Sequence, residues 1–377
     1  MTAYRLILGG GLIVLLIPQA WSNLTNLRTQ RALDTQVAKL VTVGDEAQTN
    51  DRLREAVVAY QRAIELQPEN SELLKKLAVA QCRFTAERPD TLTTASAIAL
   101  LVRLKSLGLS AKDGPEIAVA LGQVDLMRGR GAAAHGLFEK LAKEYPKSAI
   151  AQYALGKSRI VRGMTKQALE PFERAVALKS DSARFRKALG RTLSALKKWT
   201  RAEEALTRAV QISEDGSSLL ELGQVRLKIS KNEGAVEVLK KSLTQLDNRM
   251  KPVARAALGE ALFQLGRYAE AIRELRASVK ASGNTGTLFG LASAYQGLNK
   301  HSAAAQVLSR ALADEPTNAL GRVQYIRSLV ALGQTERARG ALSTLESQAK
   351  GRPELVPLVK KARGIVSTRR SPAPPAP

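Results

Sequence analysis

Apolar and small residues recur along this chain at a fixed beat. Ala134, Ala168, Ala202, Ala235, Ala271, Ala304 and Ala338 follow one another at intervals of 34, 34, 33, 36, 33 and 34 residues, and Gly122, Gly156, Gly190, Gly223 and Gly259 keep nearly the same spacing. Four residues after each alanine stands a large apolar residue: Phe138, Phe172, Leu206, Leu239, Leu275, Leu308 or Leu342. A separation of four puts both residues on one face of a helix. The pattern therefore predicts consecutive helix pairs, with a glycine marking the first helix and an alanine the second. Pro68, Pro146 and Pro316 end several second helices, because proline supplies no backbone donor to continue them.

From about Val37 to Lys350 these positions resemble the tetratricopeptide repeat. The match consists of an apolar–Gly pair at the seventh and eighth positions, Ala at the twentieth, an aromatic residue or Leu at the twenty-fourth and Pro at the thirty-second. The resemblance implies an all-α fold, a right-handed superhelix of about nine helix-hairpin repeats with a C-terminal capping helix. The repeat array is expected over 37–351. Its second unit, 71–114, is irregular, carrying about ten extra residues around Arg88-Pro89-Asp90 and before Pro115. The ninth unit has Ile326 where others have glycine. A capping helix is expected over 352–367, followed by a disordered, proline-rich basic tail over 368–377. Glycine and alanine remove bulk where paired helices cross, and stacking buries an apolar stripe that no single unit can cover.

The amino terminus departs from the beat. Residues 1–23 carry Arg5, an apolar run from Leu6 to Ile17, and then Pro18. The run is short for a bilayer span and suits the apolar region of a signal peptide, with Ala20 and Ser22 marking a cleavage site. An uncleaved membrane anchor over residues 3–21 is the rival reading. Residues 24–36 form a helical lead-in. Both readings place the body in a bacterial periplasm, released or tethered to the inner membrane. Arg28, Arg31 and Lys39 favour the opposite orientation, a cytoplasmic body on a reversed anchor.

Charge sharpens the picture. The formal net charge is +24, which points to an anionic partner. Aromatic residues make up only 4% of the chain, which disfavours base stacking on single-stranded nucleic acid. A single cysteine, Cys82, and two distant histidines, His135 and His301, give no basis for a metal or cofactor site. No phosphate-loop, HExxH or GxSxG motif is present. No enzyme activity is expected. His135, His301 and Cys82 read as structural residues, and the adjacent carboxylates Glu203 and Glu204 as solvated.

What the resemblance implies instead is a groove lined by the first helices, at the second, fifth, ninth and twelfth positions of each unit. These map to Glu116, Val119, Gln123 and Leu126, then to Ile150, Tyr153, Lys157 and Ile160, and then to Arg184, Lys187, Arg191 and Ser194. Arg184, Lys187 and Arg191 share a helix face, and Lys157 precedes Arg191 by one period. With Tyr153 and Lys228 they form the candidate ligand-binding patch. The expected function is a non-catalytic scaffold of the bacterial cell envelope that grips a protein segment or anionic polymer, either acidic peptide or charged polysaccharide. It would act within an assembly or secretion system such as exopolysaccharide export, pilus assembly or envelope biogenesis. A nucleic-acid-binding repeat protein, or an accessory subunit holding an enzyme partner, are the alternatives.

Overall fold

The computed structural model describes residues 6–8, 11–13, 17–50, 52–87, 91–106, 114–127 and 129–367. The extra residues at 88–90 and 107–113 and the tail 368–377 lie outside this set. The chain divides into two compact units, Met1–Thr192 and Leu193–Pro377. In the first, α1 (Ile17–Thr49) pairs with α2 (Leu53–Leu66), α3 (Ser71–Glu87) with α4 (Thr91–Ser106), α5 (Pro115–Met127) with α6 (Gly131–Glu144), and α7 (Ala149–Val161) with α8 (Thr165–Leu178). Next come α9 (Ala183–Ala195) and α10 (Trp199–Ile212). In the second unit, α11 (Gly216–Lys228) pairs with α12 (Asn232–Gln245), α13 (Lys251–Gln264) with α14 (Tyr268–Ser282), α15 (Thr285–Gly297) with α16 (His301–Asp314), and α17 (Ala319–Ala331) with α18 (Thr335–Ala349). The cap is α19 (Val356–Ser367), which packs on α17 and α18. All-helical hairpins of this kind are what the alanine and glycine beat predicts.

Two kinds of turn punctuate the stack. Within pairs, a residue in the left-handed region ends the first helix: glycine at 129, 163, 266 and 333, but Lys197, Ser230 and Asn299 elsewhere. The next amide then reaches back five residues, as in Met164 N–H to the Arg159 carbonyl (2.8 Å) and Gln334 N–H to Leu329 (2.9 Å), which satisfies a carbonyl the helix end would otherwise leave open. Between pairs, the segments Gln67–Asn70, Tyr145–Ser148 and Glu315–Asn318 each form a turn with proline at its second position, closed by bonds of 3.2, 2.9 and 3.1 Å. The last residue of each turn caps the following helix: Asn70 accepts from Leu73 N–H, Ser148 from Ala151 N–H, and Asn318 from Gly321 N–H.

Helix crossings are set by size. All seven beat alanines are completely buried. Four of the beat glycines face the large residue sixteen positions on: Gly122 faces Phe138, Gly156 faces Phe172, Gly223 faces Leu239 and Gly259 faces Leu275. Gly44 against Tyr60 adds a fifth pair. The Tyr60 hydroxyl donates to Asp45 Oδ1 (2.7 Å), which also accepts from Lys76 Nζ (2.6 Å). Burial alone would raise the Asp45 pKa, but the Lys76 and Tyr60 bonds hold it below the usual carboxylate range.

Pro171 lies inside α8 and has no N–H for the Gln167 carbonyl one turn earlier. Arg159 Nη1 on α7 donates to that carbonyl instead, at 2.9 Å. The proline is thus tolerated through a donor from the partner helix.

One expectation is corrected. Glu203 is not solvated: its side chain is 13% exposed and pairs with Lys231 at 2.7 Å and Arg226 at 3.4 Å. Near the amino terminus β1 (Leu6–Leu8) pairs antiparallel with β2 (Gly11–Ile13), Ile7 opposite Leu12. Glycine in the run weakens a helix, and Leu and Ile pack well in extended chain. Pro18 lies in the first turn of α1, where its missing N–H costs nothing. That helix continues unbroken past residues 23 and 36. Among the described residues no helix is long and apolar enough to cross a membrane.

Two outcomes check the packing. A Cβ at Gly223 would sit 2.5 Å from Leu239 Cγ, whereas one at Gly136, within α6, meets nothing within 4 Å. Gly223→Ala should therefore lower stability by about 1–3 kcal/mol, and Gly136→Ala should raise it by about 1 kcal/mol, as read from urea midpoints. Cys82 is completely buried and burial pushes its thiol up to about 12. At pH 8 iodoacetamide should label it only after unfolding, because the thiolate is the reactive species.

Candidate functional site

Within each unit the first helices of successive pairs lie against one another: α3 on α5 and α5 on α7 in the first unit, and α11 on α13, α13 on α15 and α15 on α17 in the second. The second helices of neighbouring pairs do not approach as closely. Crowding on the first-helix side makes it the inner face within each unit, so the mapped groove positions share that face.

The candidate patch centres on Tyr153 of α7, itself buried. Its ring packs against Phe172 of α8 (centroids 5.7 Å apart) and Phe185 of α9 (4.9 Å). Over this aromatic floor lie two cations. The Arg184 guanidinium carbon is 4.6 Å from the Tyr153 centroid and 5.2 Å from that of Phe185, and Lys157 Nζ is 5.9 Å from Tyr153. Such contacts are worth about 0.5–2 kcal/mol depending on desolvation. They hold the charges in place without neutralising them.

Neither cation has a carboxylate partner among the described residues, and Arg184 Nε is buried without an acceptor. Among the other partly buried arginines, Arg226 is paired with Glu203 and Arg255 with Glu274 at 2.8 Å, while Arg159, Arg186 and Arg322 donate to backbone carbonyls. Between residues 147 and 192 eleven Lys and Arg face three Asp and Glu, so the local field is positive.

The other expected patch residues are placed differently. Lys187 is half-buried and Arg191 exposed, and each already has an interaction within the protein. Lys228 is exposed on α11, in the second unit. Of the expected patch cations in the first unit, Lys157 and Arg184 are thus the two without an ion pair among the described residues. Phe185, which the repeat pattern does not single out, completes the floor under Arg184. It stands 32 residues from Tyr153, and only its apolar character beside Arg184 signals a role. His135 is buried, with Nδ1 2.9 Å from Ser158 Oγ and Nε2 3.4 Å from Glu139. His301 opens α16 with Nδ1 buried and unbonded. Among the described residues no His, Cys, Asp and Glu cluster could hold a metal.

Family models described as tetratricopeptide repeat match residues 119–183, 156–217, 220–284 and 295–362, together more than half of the chain. No curated protein matches it. Among solved structures, the chain is similar to one in the APC/C hetero-tetramer Cut9-Hcn1, at 19% identity and a TM-score of 0.60 over 80% of this chain. It spans only 59% of that chain. It is also similar to Pseudomonas aeruginosa pilF (24% identity, TM-score 0.46, 55% of this chain and 93% of that one). A third is YrrB, a TPR protein with an unusual peptide-binding site (20% identity, TM-score 0.44, 49% of this chain and 95% of that one). The first of these likenesses speaks for the fold alone. With the sixteen-residue pairing, the buried alanines and the family match in agreement, the chain belongs to the tetratricopeptide-repeat family.

Proposed function

We propose that this protein is a non-catalytic scaffold of the bacterial cell envelope that grips an acidic protein segment on the first-helix face of α7 and α9. The observation that carries this reading is the pair Lys157 and Arg184, held over the Tyr153 ring with no carboxylate partner among the described residues. A ligand carboxylate there would meet a fixed positive field and a guanidinium already oriented by stacking. The apolar amino-terminal stretch supports a body outside the cytoplasm, serving an assembly or secretion system. A second reading, an anionic polymer such as charged polysaccharide or nucleic acid, draws support from the net charge of +24.

Reversing the two cations tests the site. Lys157→Glu with Arg184→Glu should abolish recovery of the partner captured by crosslinking in the native cell. The control Lys166→Glu with Lys179→Glu, two exposed cations of α8 and its C-cap, should not. Equal recovery from both would refute the site. Binding whose affinity falls steeply and linearly in log salt on duplex or single strands would favour nucleic acid. For location, a reporter that is active only in the cytoplasm, fused after Ser367, should stay silent, and a bright signal would place the body on the cytoplasmic side.

A further inference from the structure

The first-helix face of the first unit changes chemistry from one helix to the next. On α9 it presents Arg184. On α7 it presents Lys157 beside Tyr153, but also Ile160, which is 39% exposed, and half-buried Ile150. On α5 it carries no Lys or Arg at all. The residue one period before Lys157 is Gln123, whose side-chain amide has no hydrogen-bond partner among the described residues. One period before Ile160 is Leu126, only partly buried and packed in the same cluster as Ile150. One period before Ile150 is Glu116, exposed and with no ion pair among the described residues. Positive charge thus stops at α7, and an aliphatic strip with an uncommitted amide takes over.

From this gradient, and resting on the anion-binding reading above, we infer that the site reads a peptide in which a short acidic block adjoins aliphatic residues, the acidic block over α9 and α7 and the aliphatic part over α7 and α5. Neighbouring helix axes lie about 8–10 Å apart, so the face is spanned by roughly six residues of extended chain at about 3.3 Å each. An evenly charged polymer would lose half of its ionic contacts on such a path and would meet the Glu116 carboxylate. A segment whose charge ends after two or three residues would instead bury its aliphatic side chains against Ile160, Ile150 and Leu126. The unpartnered Gln123 amide and the Tyr153 hydroxyl, which makes no hydrogen bond among the described residues, remain to bond its backbone.

The test uses the full chain and three fluorescein-labelled probes in anisotropy titrations at 150 mM salt. One peptide carries an acidic block followed by leucines, one carries the same block followed by glycine and serine, and the third probe is a single-stranded DNA of equal length. The mixed peptide should bind about tenfold tighter than the acidic one, the worth of burying roughly one aliphatic side chain. Ile160→Ser should remove that preference, and its exposure means that folding, followed by circular dichroism, should be unaffected. Lys157→Glu with Arg184→Glu should abolish binding of both peptides. Equal affinity for the two peptides would overturn the composite site and leave the anion-binding reading standing. Tighter binding of DNA than of either peptide would overturn the composite site in favour of a polymer. Absence of binding by every probe would overturn both readings.

Discussion

The structure depends on one contact, repeated: a residue with little or no side chain pressed against a large one sixteen positions later. Gly156 against Phe172 and Gly223 against Leu239 let paired helices cross where any Cβ would collide. Where glycine is missing the contact is remade with other small or apolar residues. Ala292 and Leu308 are completely buried together in the eighth pair. In the ninth, Ile326 is completely buried in a cluster that also takes in the cap residues Val359 and Ala362. Because interiors pack at crystal-like density, this local size rule fixes how closely each pair is drawn together.

Close crossing inside each pair has a consequence for the exposed faces. The large residues are spent on the interior, so what remains on the first helices is free to vary without disturbing the stack. In the first unit that freedom is used to lay cations over an aromatic floor. In the second unit α15 and α17 join uncharged polar residues beside Arg327: Gln296 donates to Ser328 Oγ at 2.8 Å and to the Gln324 carbonyl at 2.7 Å, and Gln324 donates to Ser293 Oγ at 2.9 Å. One scaffold rule thus supports two chemically different surfaces.

Compensation distinguishes a binding surface from ordinary packing here. Some partly buried charges are paired within the stack, as Glu274 is with Arg255 and Arg273. The Arg159 guanidinium even serves a carbonyl orphaned by Pro171. Lys157 and Arg184 instead lie over rings, with no carboxylate partner among the described residues. An aromatic face holds a cation without cancelling its charge, which suits a site that must attract an anion from solution.

The sequence by itself determined the helix pairs, their period and the buried alanines. All of these follow from contacts within one hairpin, where sixteen residues of separation leave a readable pattern of size. It also marked Lys157, Arg184 and Tyr153 as neighbours, since one period of translation is itself periodic. Only the tertiary structure decided which charges stay open. Lys187 and Arg191 share the helix face of Arg184 yet have partners, and Glu203, legible only as one of two adjacent carboxylates, is drawn in by Arg226 and Lys231. Phe185 joined the floor under Arg184 through a contact across neighbouring pairs. The physical reason is that helix periodicity specifies direction, whereas charge compensation depends on side chains arriving from other helices at distances of a few ångströms, and no repeat pattern encodes those.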